Sequence, residues 1–73
     1  MSNDEDLTVE WNQLTEERYE LSVEYGKFTR LMFEHRTDPE LYNKYLNELA
    51  ALEAKTLINK NRMKEIIKLR GSE

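Results

Sequence analysis

Cysteine is absent from the 73 residues, proline, histidine and tryptophan occur once each, and glycine occurs twice. Each scarcity removes a class of explanation. Without cysteine there is no disulfide, no zinc thiolate site and no cysteine nucleophile, so a chain this short has no such staple and must be stabilised by packing. Neither Gly26 nor Gly71 lies in the glycine-rich loop that a phosphate cradle requires. Long hydrophobic runs are also missing. No stretch approaches the ~18–20 apolar residues of a membrane span, and Met1-Ser2-Asn3-Asp4-Glu5-Asp6 is acidic where a signal peptide is basic and then apolar. The expectation is a cytoplasmic protein without a membrane partner.

The single histidine limits chemistry further. Nucleophilic catalysis needs a nucleophile, a base and an orienting group in one pocket, and the chain offers one histidine, His35, with Ser2 and Ser22 among its serines. His35 is expected in the last turn of a first helix, where it caps or packs. Glu16, Glu20 and Glu24 stand four apart on one helical face, but like charges at that spacing repel, and dedicated calcium sites use tight loops with several oxygens. A di-iron bundle motif needs Glu three residues before His, where Met32 stands. No enzyme activity, metal or cofactor is expected.

What the chain has is charge. Charged residues make up 36% and hydrophobic residues 38%, against roughly 25% and 45–50% in ordinary globular chains, a balance that favours long solvated helices. The net charge of −4 argues against general binding to nucleic acid or an anionic membrane. Its distribution is polar. Residues 1–24 carry Asp4, Glu5, Asp6, Glu10, Glu16, Glu17, Glu20 and Glu24 against Arg18 alone. Residues 54–70 carry Lys55, Lys60, Arg62, Lys64, Lys68 and Arg70 against Glu65 alone.

Apolar residues recur at alternating steps of four and three. Leu7, Trp11, Leu14, Arg18, Leu21, Tyr25, Phe28, Met32 and His35 form one such seam, apolar or aromatic except at Arg18 and His35. Tyr42, Tyr45, Leu49, Leu52, Thr56, Asn59, Met63 and Ile66 form a second. Between them lies Thr37-Asp38-Pro39-Glu40, in which Asp38 suits an N-cap, Pro39 the first helical position and Glu40 the positive helix end. The spacing predicts an all-α antiparallel hairpin: an acidic disordered segment 1–6, a first helix at about 7–36, a turn at 37–38, a second helix at about 39–70, and a frayed end at 71–73.

Folding near residue 37 makes positions whose numbers sum to about 74 face each other. Leu7 then meets Ile66 or Ile67, Trp11 meets Met63, Leu21 meets Leu52, Tyr25 meets Leu49 and Met32 meets Tyr42. The polar exceptions coincide: Arg18 falls level with Thr56, and Asn59 lies a turn away beside Leu14, a layer that would fix register. The acidic first segment is brought against the basic last one, for orientation more than stability.

Apolar residues are left over. Tyr19, Val23, Gly26 and Phe33 lie off the first seam, and Leu46, Ala50, Ala54 and Leu57 off the second. They are expected to bind a partner or a second copy, most simply as a homodimer forming a four-helix bundle. The function expected is a small adaptor, assembly factor or inhibitor, of the kind bacteria or their phages encode. The alternative is a nucleic-acid-associated regulator using Lys60, Lys64 and Lys68.

Overall fold

The computed structural model describes residues 2–71, and they form an antiparallel hairpin of two helices, α1 (Ser2–Glu34) and α2 (Pro39–Gly71), of 33 residues each. Among the described residues there is no strand. The hairpin is a rod of 55 × 16 × 13 Å. Its length is that of its helices, since 33 residues at 1.5 Å rise span about 50 Å.

The turn forms as its residues dictate. The Asp38 side chain accepts from the backbone N–H groups of Glu40 at 3.1 Å and Leu41 at 3.3 Å, capping α2. Pro39 occupies the first helical position, where no donor is needed. α1 closes with tightened turns in which Arg36 N–H donates to the Phe33 carbonyl at 3.4 Å and Asp38 N–H to the His35 carbonyl at 3.0 Å. The Arg36 guanidinium also donates to the Phe33 carbonyl, at 3.1 Å. His35 therefore lies in the turn, past the last residue of α1, and its ring stands 5.9 Å from that of Tyr45.

The helix bounds differ from expectation at the amino end. α1 begins at Ser2 rather than near residue 7, consistent with the carboxylates that crowd its first turns, where the helix dipole favours them. α2 runs through Gly71; Met1 and residues 72–73, part of the segments expected to be disordered or frayed, lie outside the described residues.

The seams pack as a single line except at Arg18 and Tyr25, which are exposed. Leu21, Leu49, Leu52, Met63 and Ile66 are buried, and Leu7, Trp11, Leu14, Phe28, Met32, Tyr42, Tyr45 and Thr56 are half-buried. The choice between Ile66 and Ile67 is settled in favour of Ile66, 1% exposed against 58% for its neighbour. Phe28 lies against Tyr45 with ring centroids 6.0 Å apart, closing the core at the turn end.

The polar layer is narrower than expected. Asn59, 1% exposed, donates through Nδ2 to the Leu14 carbonyl at 2.9 Å and to Glu17 Oε1 at 3.0 Å, while its Oδ1 has no partner among the described residues. Arg18 does not join it. Its flexible stem carries the guanidinium along the outside to Met63 Sδ, at 3.8 Å, and Thr56 turns its hydroxyl back to the Leu52 carbonyl at 2.8 Å.

Candidate interaction faces

A seam repeating every seven residues leaves each helix with two flanks, and in an antiparallel pair like flanks adjoin. On α1 one flank carries Thr8, Thr15, Ser22 and Thr29, and the other Glu10, Glu17 and Glu24. We call them the hydroxyl flank and the carboxylate flank. α2 contributes Leu46, Glu53, Lys60 and Ile67 to the first, and Glu48, Lys55, Arg62 and Leu69 to the second.

Side-chain contacts confirm the pairing of flanks. On the carboxylate side Arg62 reaches across to Glu10 with both forks, at 2.6 and 2.8 Å, and also donates to Glu65 at 2.9 Å. The hydrogen bond from Arg62 holds the Glu10 carboxyl below its ordinary range, and the same bond, with that to Glu65, pushes the guanidinium higher still. Asn59 to Glu17 bridges on this side too. On the hydroxyl side Tyr25 donates to Glu53 at 3.2 Å, a bond that raises the phenol above its usual value together with the carboxylate's charge.

The expected opposition of acidic and basic blocks is mostly not realised as ion pairs. Among the described residues, the only carboxylate within 4 Å of a cation across the hairpin is Glu10, on Arg62. Helical phase explains this. Glu10, Glu17 and Glu24 face the carboxylate side, whereas Lys60, Lys64 and Lys68 step outward from the hydroxyl side, four residues at a time; Lys55 does lie on the carboxylate side level with Glu17, but Glu17 accepts from Asn59.

The hydroxyl flank holds an open groove between the helices, bordered by Ser22 and Tyr25 on one side and Glu53, Thr56 and Leu57 on the other, over Leu21. Ser22 is too small to fill the space beside Glu53. Arg18 and Lys60 stand at its border, and among the described residues neither has a carboxylate within 4 Å. Thr15 and Thr29 direct their hydroxyls to the carbonyls of Trp11 and Tyr25, at 2.9 and 2.8 Å, so they offer little polarity to a visitor.

No family model, curated protein or solved structure matches this chain. Function must be argued from the two faces themselves.

All eight leftover residues are exposed, with Tyr19 at 71% and Leu57 at 59%. They do not share one face equally. Tyr19, Gly26 and Phe33 border the hydroxyl row of α1, Ala50 and Leu57 border that of α2, and Leu46 lies within it, so these six occupy one side of the rod. Val23 and Ala54 sit farther round, at its outer edges. Ile67 belongs with the six and was missed; its signal is the seven-residue repeat 46, 53, 60, 67. The opposite side exposes Ile58 and Leu69 among Asp6, Glu10, Glu17, Glu20, Glu24, Glu34 and Glu48.

Chemistry finds little footing. Ser22 and His35 are thirteen residues apart, about 20 Å by the helical rise. Glu16, Glu20 and Glu24 are exposed. Among the described residues no helix is long and apolar enough to cross a membrane.

Proposed function

We propose that this chain is a small non-enzymatic protein-interaction module, an adaptor, assembly factor or inhibitor, which self-associates through its hydroxyl flank into a four-helix bundle and presents its carboxylate flank outward. The observation that carries the reading is the contrast between flanks. One side has a groove, nearly balanced charge and five large exposed apolar residues, Tyr19, Phe33, Leu46, Leu57 and Ile67; the other is dominated by carboxylates.

Shape supports the same reading. The radius of gyration is 16.6 Å, against about 11 Å for a compact domain of this length. The accessible surface is 5911 Å², against about 4,800 Å² for a compact monomer of this mass. The excess exceeds the ~800 Å² per partner that a standard interface buries. A single layer of two helices also lacks the second layer that encloses a core.

Light scattering across a hundredfold range of concentration, with circular dichroism on the same samples, tests the proposal. The expected result is a helical species of twice 8.8 kDa. A fully helical monomer at every concentration would overturn the self-association.

A second reading, a nucleic-acid-associated regulator, draws on Lys60, Lys64 and Lys68, which are exposed and, among the described residues, have no carboxylate within 4 Å. It predicts binding that weakens steeply with salt and with those lysines changed to Glu. No shift of a nucleic-acid probe at low salt ends it.

A further inference from the structure

Granting the self-association proposed above, we infer that the second copy lies on the hydroxyl flank with its turn at the opposite end, about a two-fold axis crossing the rod at right angles at the level of Tyr19 and Leu57. Two arrangements bury this face symmetrically. With both turns at one end, α1 lies over α2 of the second copy. With turns at opposite ends, each helix lies antiparallel over its own copy.

The hydroxyl-side row of α2 discriminates between them. It reads Leu46, Glu53, Lys60, Ile67. Placed antiparallel on itself about a point between Thr56 and Leu57, it sets Leu46 against the second copy's Ile67 and Glu53 against the second copy's Lys60, at both symmetry-related positions. Apolar meets apolar and charge meets opposite charge. The same axis brings Leu57 against its own copy.

On α1 the matching point falls between Arg18 and Tyr19. Thr8 then meets Thr29 and Thr15 meets Ser22, small residues throughout, and Tyr19 meets its copy. The two points are level with each other in the hairpin, as the bonds from Asn59 to Leu14 and Glu17 show for the adjacent turn. They also lie at the middle of each helix, so the two rods overlap along their full 55 Å.

The alternative is poorer. With both turns at one end, Glu53 faces Ser22 and Lys60 faces Thr15, leaving both charges against hydroxyls in a closing interface, where unpaired charge is costly. Glu53 Oε1 holds the Tyr25 hydroxyl, so its other oxygen is available to the second copy's ammonium.

The chain has no native cysteine, so a spin label can be placed at will. Thr37→Cys puts one in the exposed turn, away from both seams. Pulsed dipolar spectroscopy should give a distance near the 55 Å length of the rod. A distance less than half of that would place both turns at one end and overturn the inference while leaving self-association intact. No dipolar coupling together with a monomer mass would overturn both.

Charge exchange gives an independent readout. Glu53→Lys and Lys60→Glu should each weaken self-association several-fold, and the double variant should restore it, as should mixing the two single variants. Absence of rescue would contradict the axis.

Discussion

The two flanks of this hairpin run the same length on the same helices, yet they treat charge in opposite ways. On the carboxylate side Arg62 is tied to Glu10 and Glu65, and Glu17 to Asn59, while Glu20, Glu24, Glu34 and Glu48 stand exposed to water. On the hydroxyl side Thr15, Thr29 and Thr56 spend their hydroxyls on their own backbone, while Arg18 and Lys60 stand beside a groove without an ionic partner among the described residues. A surface crowded with carboxylates is kept wet by their hydration; an apolar one gains by being covered, provided its charges find partners in doing so.

The largest expected effect separates the flanks directly. Leu57→Glu sets two carboxylates near the inferred axis, and like charges brought together cost several kcal/mol, so the dissociation constant should rise by about 100-fold or more. Ile58→Glu, one residue away on the carboxylate side and 70% exposed, should leave it unchanged. Sedimentation equilibrium of the two variants checks both outcomes, and equal effects would erase the distinction.

Seam and flank can be separated at another adjacent pair. Ile66→Ala opens a cavity in the core and should lower stability by roughly 2–5 kcal/mol in denaturant unfolding. Ile67→Ala should leave the hairpin's own packing intact and weaken association instead. Loss of stability on both, at a concentration where the chain is monomeric, would show that the flank already belongs to the core.

Asn59 offers a subtler contrast, because its Oδ1 is buried without a partner among the described residues. Asn59→Leu removes the whole amide and should be neutral or stabilising, whereas Asn59→Ala leaves a cavity and should cost about 1–3 kcal/mol. Thermal melting of the two variants gives the ranking. If leucine is the worse of the two, the site has no room for its branched side chain; if both cost several kcal/mol, the bonds to Leu14 and Glu17 matter more than the missing one.

The smallest effect belongs to the carboxylate flank. Since the folded state lowers the Glu10 pKa, its pairing with Arg62 contributes above the ordinary carboxyl value of 4.5 and is lost as pH falls through the lower folded value. Wild type and Glu10→Gln should differ slightly in melting temperature at neutral pH and low salt, and converge in acid or at high salt. A difference that persists in acid would have another cause.

Much of the fold was legible because one period governs it. The seam from Tyr42 to Ile66 is buried or half-buried at every position, and Asp38-Pro39 starts α2 as its chemistry requires. What escaped was phase and reach. The apolar leftovers could be named, but that Val23 and Ala54 turn away from the other six, and that Ile67 joins them, depends on angular position relative to a partner helix. The acidic and basic blocks adjoin in sequence level, yet among the described residues only Glu10 and Arg62 pair across the hairpin, while Glu17, level with Lys55 on the same flank, accepts from Asn59 instead. Arg18 left the polar layer because its long side chain carries the guanidinium past Thr56 to Met63 Sδ.

Oxidative footprinting at increasing protein concentration tests the contrast most directly, because it reads both flanks in one sample. Labelling of Tyr19, Leu46, Leu57 and Ile67 should fall as concentration rises, while Ile58 and Leu69 keep their full rate. Protection of Ile58 and Leu69 instead, or no change on either side, would contradict the assignment of the hydroxyl flank as the surface through which this chain assembles.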